Sequence, residues 1–259
     1  MNFLRKIFTP FEYVDNTVLY TIALFQLGFL LLFWQFGVSE SSFFPKLSDV
    51  LIALNELWYN GLFYQILSSL ALCGKAIFIG IIISSLLAYF STIPFFKPIV
   101  KFLSQLRNNP IQGFTLFLTT ATGGGRSLQI AMLVIFMSFY FITALASIIH
   151  DIPEEDINRR KAMKMGRWRI LWEVAVKDRA DYLLEIIRQN ISIMLMMLVS
   201  VEAMYKSFGG IGALITDSNR GLNFPKIFAL QIVIFVIGIS IDMFLRFVIN
   251  QFPVNNKRK

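Results

Sequence analysis

The run YQILSSLALCGKAIFIGIIISSLLAYF, Tyr64–Phe90, carries one charge, Lys75, in 27 residues. A helix needs roughly 20 mostly apolar residues to cross a bilayer. This run therefore places the chain among integral membrane proteins. Five more segments repeat the pattern outward from it, at about 18–38, 99–119, 128–149, 183–204 and 227–250. The expected fold is an all-α membrane protein of about six transmembrane helices. Two of the spans are atypical. The third contains Arg107, Asn108, Asn109 and Pro110, and the fifth opens with Glu185, Arg188, Gln189 and Asn190, so its first turns face water or protein. Composition agrees: 15% of residues are charged, against about a quarter in soluble domains.

Charge sets the orientation. Basic residues accumulate in cytoplasmic loops. One set of flanks comprises the N-terminus, the loop near 91–98, the loop near 150–182 and the C-terminal tail. It carries 15 Lys and Arg against 5 on the other set, so both termini are expected in the cytoplasm. The divisions that follow are a cytoplasmic segment 1–17, a membrane domain 18–250 with a large loop at about 150–182, and a basic tail 251–259. The start, with Pro10, Glu12 and Asp15, does not read as a cleaved signal peptide. The net charge of +8 is accounted for by topology, and no nucleic-acid partner is expected.

Several chemistries are set aside. With one cysteine, Cys73, and one histidine, His150, no metal site of the Cys/His kind and no intrachain disulfide are expected. The stretch TTATGGGRS, Thr119–Ser127, imitates a phosphate loop, but Arg126 stands where the lysine should be and the first glycine is missing. It reads as a flexible connection. His150 beside Asp151 reads as an interfacial histidine at a helix end. No catalytic residue, cofactor or metal is expected. In the outer loop, Ser48 and Asp49 could cap a short amphipathic helix through Val50, Leu54 and Leu57 that lies on the outer membrane surface or, more simply, packs on the bundle. Asp242 and Arg246 stand four apart and can pair; Lys75 either snorkels outward or faces the bundle interior.

The polar exception is EEDINRRKAMKMGRWRILWEVAVKDRAD, Glu154–Asp181. It lacks proline and favours helix up to Gly166, with a second short turn from Trp168. Met163, Met165, Trp168 and Ile170 offer adaptable apolar contact area. Arg159, Arg160 and Lys161 suit an acidic partner surface or, alternatively, anionic lipid headgroups.

Five stretches in order resemble the permease subunit of bacterial ATP-binding-cassette importers, nearest the nitrate/sulfonate/taurine branch. FFPKLSDVLIAL is similar to the branch's Pro-Ser-Pro-x-Glu-Val stretch at Pro45 and Val50. RNNPIQGFTLFLTTATGGG is similar to its third-helix segment at Arg107 and Pro110. DIPEEDINRRKAMKMGRWRIL resembles the cytoplasmic signature loop at Pro153, Glu155, Arg167, Trp168 and Leu171. VEAMYKSFGGIGALITDS matches the stretch after the fifth helix at Glu202, Gly210, Gly212 and Ile215. GISIDMFLRFVINQF matches the last helix at Asp242 and Arg246. The signature loop departs from the family pattern. Asn158, Arg159 and Arg160 occupy its Glu-Ala-Ala positions, Lys164 its glycine, and Val176 and Lys177 its Leu-Pro.

The resemblance implies a permease that pairs with a second copy or a similar permease. It also implies a cytoplasmic ATPase subunit, an extracytoplasmic solute-binding protein, and a cytoplasmic coupling helix between the fourth and fifth spans. Implied coupling residues are Asn158, Arg159, Arg160, Met163, Lys164, Gly166, Arg167 and Trp168. Implied pathway residues, on the third and fifth spans, are Arg107, Asn108, Asn109, Gln112, Thr119, Thr120, Ser200 and Glu202. The solute that the resemblance implies is a small anion or a small organic solute. The altered signature leaves a second reading open: a diverged permease-like subunit that anchors or senses in another membrane complex.

Overall fold

The computed structural model describes Thr9 and residues 15–37, 43–177 and 180–251. Among the described residues every element is helical. Five helices are long and apolar enough to cross a membrane: α1 Asn16–Gly37, α3 Leu62–Phe90, α6 Gly125–His150, α9 Ala180–Met204 and α11 Phe224–Gln251. Each lies within about three residues of the span read from hydropathy. Shorter helices join them: α2 Leu47–Tyr59, α4 Lys97–Gln105, α5 Thr115–Thr122, α7 Glu154–Ala162, α8 Arg167–Ile170 and α10 Ile211–Arg220. The tail 252–259 and most of the segment before residue 15 lie outside the described residues.

The expected span at 99–119 is not one helix. It is α4, two 3-10 turns at Leu106–Asn108 and Ile111–Phe114, and α5. Pro110 has no N–H to give a helix and pushes Asn109 into extended backbone, with ψ 140°. The segment still returns across the bundle. Arg126 at the start of α6 reaches Ser68 near the start of α3, and Gly80 lies against Ser138, so α3 and α6 run parallel. Parallel neighbours need the chain between them to travel back their whole length. Phe114 meets Phe136 midway, and α5 ends beside the start of α6.

Helix α6 is the centre. Leu128, Met132, Leu133, Phe136, Met137, Phe141 and Ile142 are almost fully buried against α3, α9 and the broken segment. Ser84 and Ser138 meet across the α3–α6 seam, where Gly80 lets the backbones approach; the Ser84 hydroxyl donates to the carbonyls of Gly80 and Ser138. Helix α1 is peripheral, held where Trp34 donates to the Pro45 carbonyl and meets Phe228 in a tilted ring contact. Its outward residues, Phe25, Phe29 and Phe36 among them, are exposed, as are Phe235 and Phe244 of α11. Such faces suit lipid. Helix α2 packs on the bundle through Val50, Ala53 and Leu57, as expected, but Lys46 is its N-cap, and the Ser48 hydroxyl bonds Asp49 rather than capping.

The stretch at Gly123–Gly125 is a tight turn. All three glycines have positive φ, a region closed to most side chains, and they reverse the chain between α5 and α6 within three residues.

Candidate coupling surface and solute pathway

The loop Glu154–Lys177 is built as a rigid projection. Helix α7 follows Pro153, which is extended, and carries Glu154, Glu155 and Asp156 in its first turn and Arg159, Arg160 and Lys161 in its last. That order matches the helix dipole at both ends. The helix stops at a Schellman motif: Lys164 N donates to the Lys161 carbonyl and Met165 N to the Arg160 carbonyl. The motif demands left-handed backbone at Lys164, and its φ is 56°. Gly166 then caps α8 with an ordinary φ of −66°. Helix α8 passes into a π-helical turn, Leu171–Lys177.

Ile170, Val174 and Ala175 are buried and anchor this projection. Arg160 pairs with Glu173, which Arg169 also meets at 3.2 Å. These pairs tie α7 to the π-helical turn. Outward, Met163, Trp168 and Trp172 are each more than 60% exposed. Between the projection and the Thr92–Pro94 connection lies a cavity of about 420 Å³ walled by Ile149, Ile152, Ile157 and Trp168.

At the opposite end, a buried polar cluster clamps α10. Glu202 is fully buried; its carboxylate accepts from the Ser69 hydroxyl at 2.7 Å and from Gly212 N at 3.0 Å. Ile211 N donates to Ser69 Oγ at 3.0 Å, and Gly210 N to Gln65 Oε1 at 2.6 Å. The open N–H groups at the start of α10 are thereby satisfied by two helices. Gly212 lies against the Val199 carbonyl, and a side chain there would strike it. Arg126 and Gln129 extend the cluster, with Gln129 Nε2 reaching the Tyr205 carbonyl at 3.0 Å.

Polar side chains also reach the outer surface of the bundle. A groove of about 620 Å³ runs between α9 and α11 and includes Gln189, Ser192 and Gln231. Beside it Arg188 bridges Glu185 at 2.6 Å and Asp242 at 2.9 Å, and Arg246 joins Asp242 at 2.9 Å.

The family model described as binding-protein-dependent transport system inner membrane component matches residues 16–251. The chain belongs to that family. No curated protein gives a significant match. The permease is thus a membrane component of the ABC type, from a family that works with an ATPase and a solute-binding protein.

The expected coupling residues all fall on one projection of the permease. Asn158, Arg159, Met163, Lys164, Gly166, Arg167 and Trp168 are exposed, while Arg160 is partly buried on Glu173. The expected pathway residues do not share one setting. Arg107, Asn108 and Asn109 are exposed at the helix break, and Gln112 lies in it. Thr119 and Thr120 are exposed, with hydroxyls returned to the Thr115 and Leu116 carbonyls; Ser200 does the same to Met196. Glu202 lies apart from the other pathway candidates, fully buried in this chain. Sealed inside one chain, it lines nothing open and serves the clamp. Its match to the family motif, with Gly210 and Gly212, is a match to that clamp. Lys75 is exposed, not interior. Gln189 and Ser192 line the groove between α9 and α11. With Met196 and Ser200 they stand at i, i+3, i+7 and i+11, one stripe of α9, and that spacing was readable.

Proposed function

We propose that the chain forms one half of the membrane pathway of an ATP-driven importer, of the nitrate/sulfonate/taurine type by resemblance. The loop Glu154–Lys177 would be its cytoplasmic contact with the ATPase. The observation that carries this reading is the projection: a short helix, stopped by a left-handed residue and tied back by Arg160–Glu173, that leaves Met163, Trp168 and Trp172 unpacked. An element with its own anchors and an uncovered aromatic face transmits a push as a unit. ATP-driven closure of the ATPase pair would move it, and with it α6 and α9, the helices it joins. The solute would pass between this chain and a second permease, homologous or identical. Bond chemistry, hydrolysis included, belongs to the ATPase. The basic residues at the signature's small positions favour an acidic groove on that partner.

The same substitutions support a second reading, a permease-like subunit that anchors or senses in another complex. Affinity purification from the native membrane, with ATP hydrolysis assayed, separates the two. A stoichiometric nucleotide-binding subunit is expected. Recovery with other membrane proteins and no ATPase sinks the importer reading.

A further inference from the structure

Lys75 is the fourteenth of the 29 residues of α3, and it is exposed. It makes no hydrogen bond or ion pair with any described residue. Its face is otherwise apolar, with Ala71, Phe78, Ile79 and Ile82 exposed around it. At 1.5 Å per residue, both ends of the helix are about 20 Å away. Half of a hydrocarbon layer is about 15 Å, more than a lysine stem can span. An ammonium facing lipid at this depth is among the costliest placements a side chain can have.

A dry contact with a second copy fares no better, because it would need a free carboxylate at mid-depth. Helices α1, α3 and α6 contain no Asp or Glu. In α9 and α11, Glu185 and Asp242 are committed to Arg188, and Glu202 is sealed in its clamp. Asp181 is at the very end of α9. Among the described residues, the long helices therefore offer no free carboxylate to Lys75 across a dimer of identical copies.

Beside an identical copy, what remains is water. Ser69 touches Glu202 where the antiparallel α3 and α9 meet, so Lys75, six residues further along α3, lies near the depth of Met196. Met196 is exposed, with Ser192 and Ser200 one turn to either side on the polar stripe of α9.

We propose that Lys75 faces the water-filled solute pathway and is its positive contact point for an anionic solute. This rests on the importer reading. The ammonium would attract the anion to mid-membrane and, when the passage is empty, hold a mobile counter-ion. Cations would be repelled from the same point.

The test uses the full complex in native membranes and needs no knowledge of the solute. Ala71 is one turn from Lys75 on the same face, exposed and small, so Ala71→Cys fits without repacking. Cys73 is buried and is removed as Cys73→Ser. Labelling of the Ala71→Cys thiol is timed with a sulfonate-bearing and a trimethylammonium-bearing methanethiosulfonate, each scaled to its rate on a free thiol. The anionic reagent is expected to be favoured by about tenfold, the preference to vanish with Lys75→Gln and to survive Lys75→Arg. A lipid-soluble maleimide confirms that the thiol is present. Labelling by the maleimide alone, or a ratio indifferent to Lys75→Gln, overturns the proposal. The ATPase content of the same preparation keeps the two readings apart. A complex that holds its ATPase and leaves this thiol dry removes Lys75 from the pathway and leaves the importer intact.

Discussion

A buried carboxylate is stable only with partners, and Glu202 has a hydroxyl and a backbone N–H as close partners, with the start of a helix behind them. Glu202→Ala strands the Ser69 hydroxyl and Gly212 N–H inside the bundle. The expected cost is about 2–4 kcal/mol, read as a lower midpoint of thermal unfolding in detergent, and Glu202→Gln, which keeps one acceptor, should lose about half as much. A Glu202→Ala protein as stable as wild type would mean that the clamp does not hold α10. Gly212→Ala tests the same spot by shape, since a methyl group there meets the Val199 carbonyl and the Glu202 side chain. Lys164 is the opposite case, a side chain where a glycine is easier. Its left-handed backbone costs about 1 kcal/mol relative to glycine. Lys164→Gly should therefore slow local opening of the α7 stop by about fivefold, seen as hydrogen-exchange protection at Met165. A glycine would adopt the left-handed backbone of this Schellman turn without that cost.

At the scale of elements, the Glu154–Lys177 projection separates two arginines that the sequence treats alike. Arg159 is exposed and available to a partner, whereas Arg160 holds Glu173. Arg159→Glu should weaken ATPase association and leave the loop folded. Arg160→Glu should loosen the loop itself and expose it to protease before any partner is added. Trp168→Ala, at an exposed aromatic anchor, should cost about 2 kcal/mol of association, or about thirtyfold. Pull-down of the ATPase at several salt concentrations measures all three, and equal effects of the two arginine reversals would erase the distinction. The long helices were legible because their apolar runs exceed the bilayer's thickness, a signal that needs no tertiary information. The break around Pro110 was legible as chemistry but not as geometry, because a proline marks where a helix stops and says nothing of how the chain continues. The role of Glu202 was not legible. Its partners Ser69 and Gly212 are 133 and 10 residues away, and only packing brings them to one point.

For the whole molecule, orientation and helix count test each other. Five continuous helices alone would put the two termini on opposite sides of the membrane. A sixth crossing would put them on the same side, and the candidate for it is the broken return from Lys97 to Thr122. It is supported by the parallel course of α3 and α6, fixed by Ser68 on Arg126 and Gly80 against Ser138. From the charge asymmetry, 15 basic residues against 5, we expect the shared side to be cytoplasmic. A reporter after Lys259 and one before Met1 should both read cytoplasmic. A reporter inserted between Gly123 and Gly124, in the turn at the far end of the return, should read extracytoplasmic. If the Gly124 reporter and the C-terminal reporter gave the same side, α6 would not cross between them an odd number of times with α9 and α11. The coupling projection would then face away from any cytoplasmic ATPase. A C-terminal signal outside the cell, with the N-terminus inside, would require only five crossings. The return would then stay within one half of the membrane, α6 would run antiparallel to α3, and the Ser68–Arg126 contact could not form. Exchanging Arg126 for alanine is thus a second handle on topology: it should lower stability without moving any reporter, because the charge balance between the two sides stays strongly asymmetric.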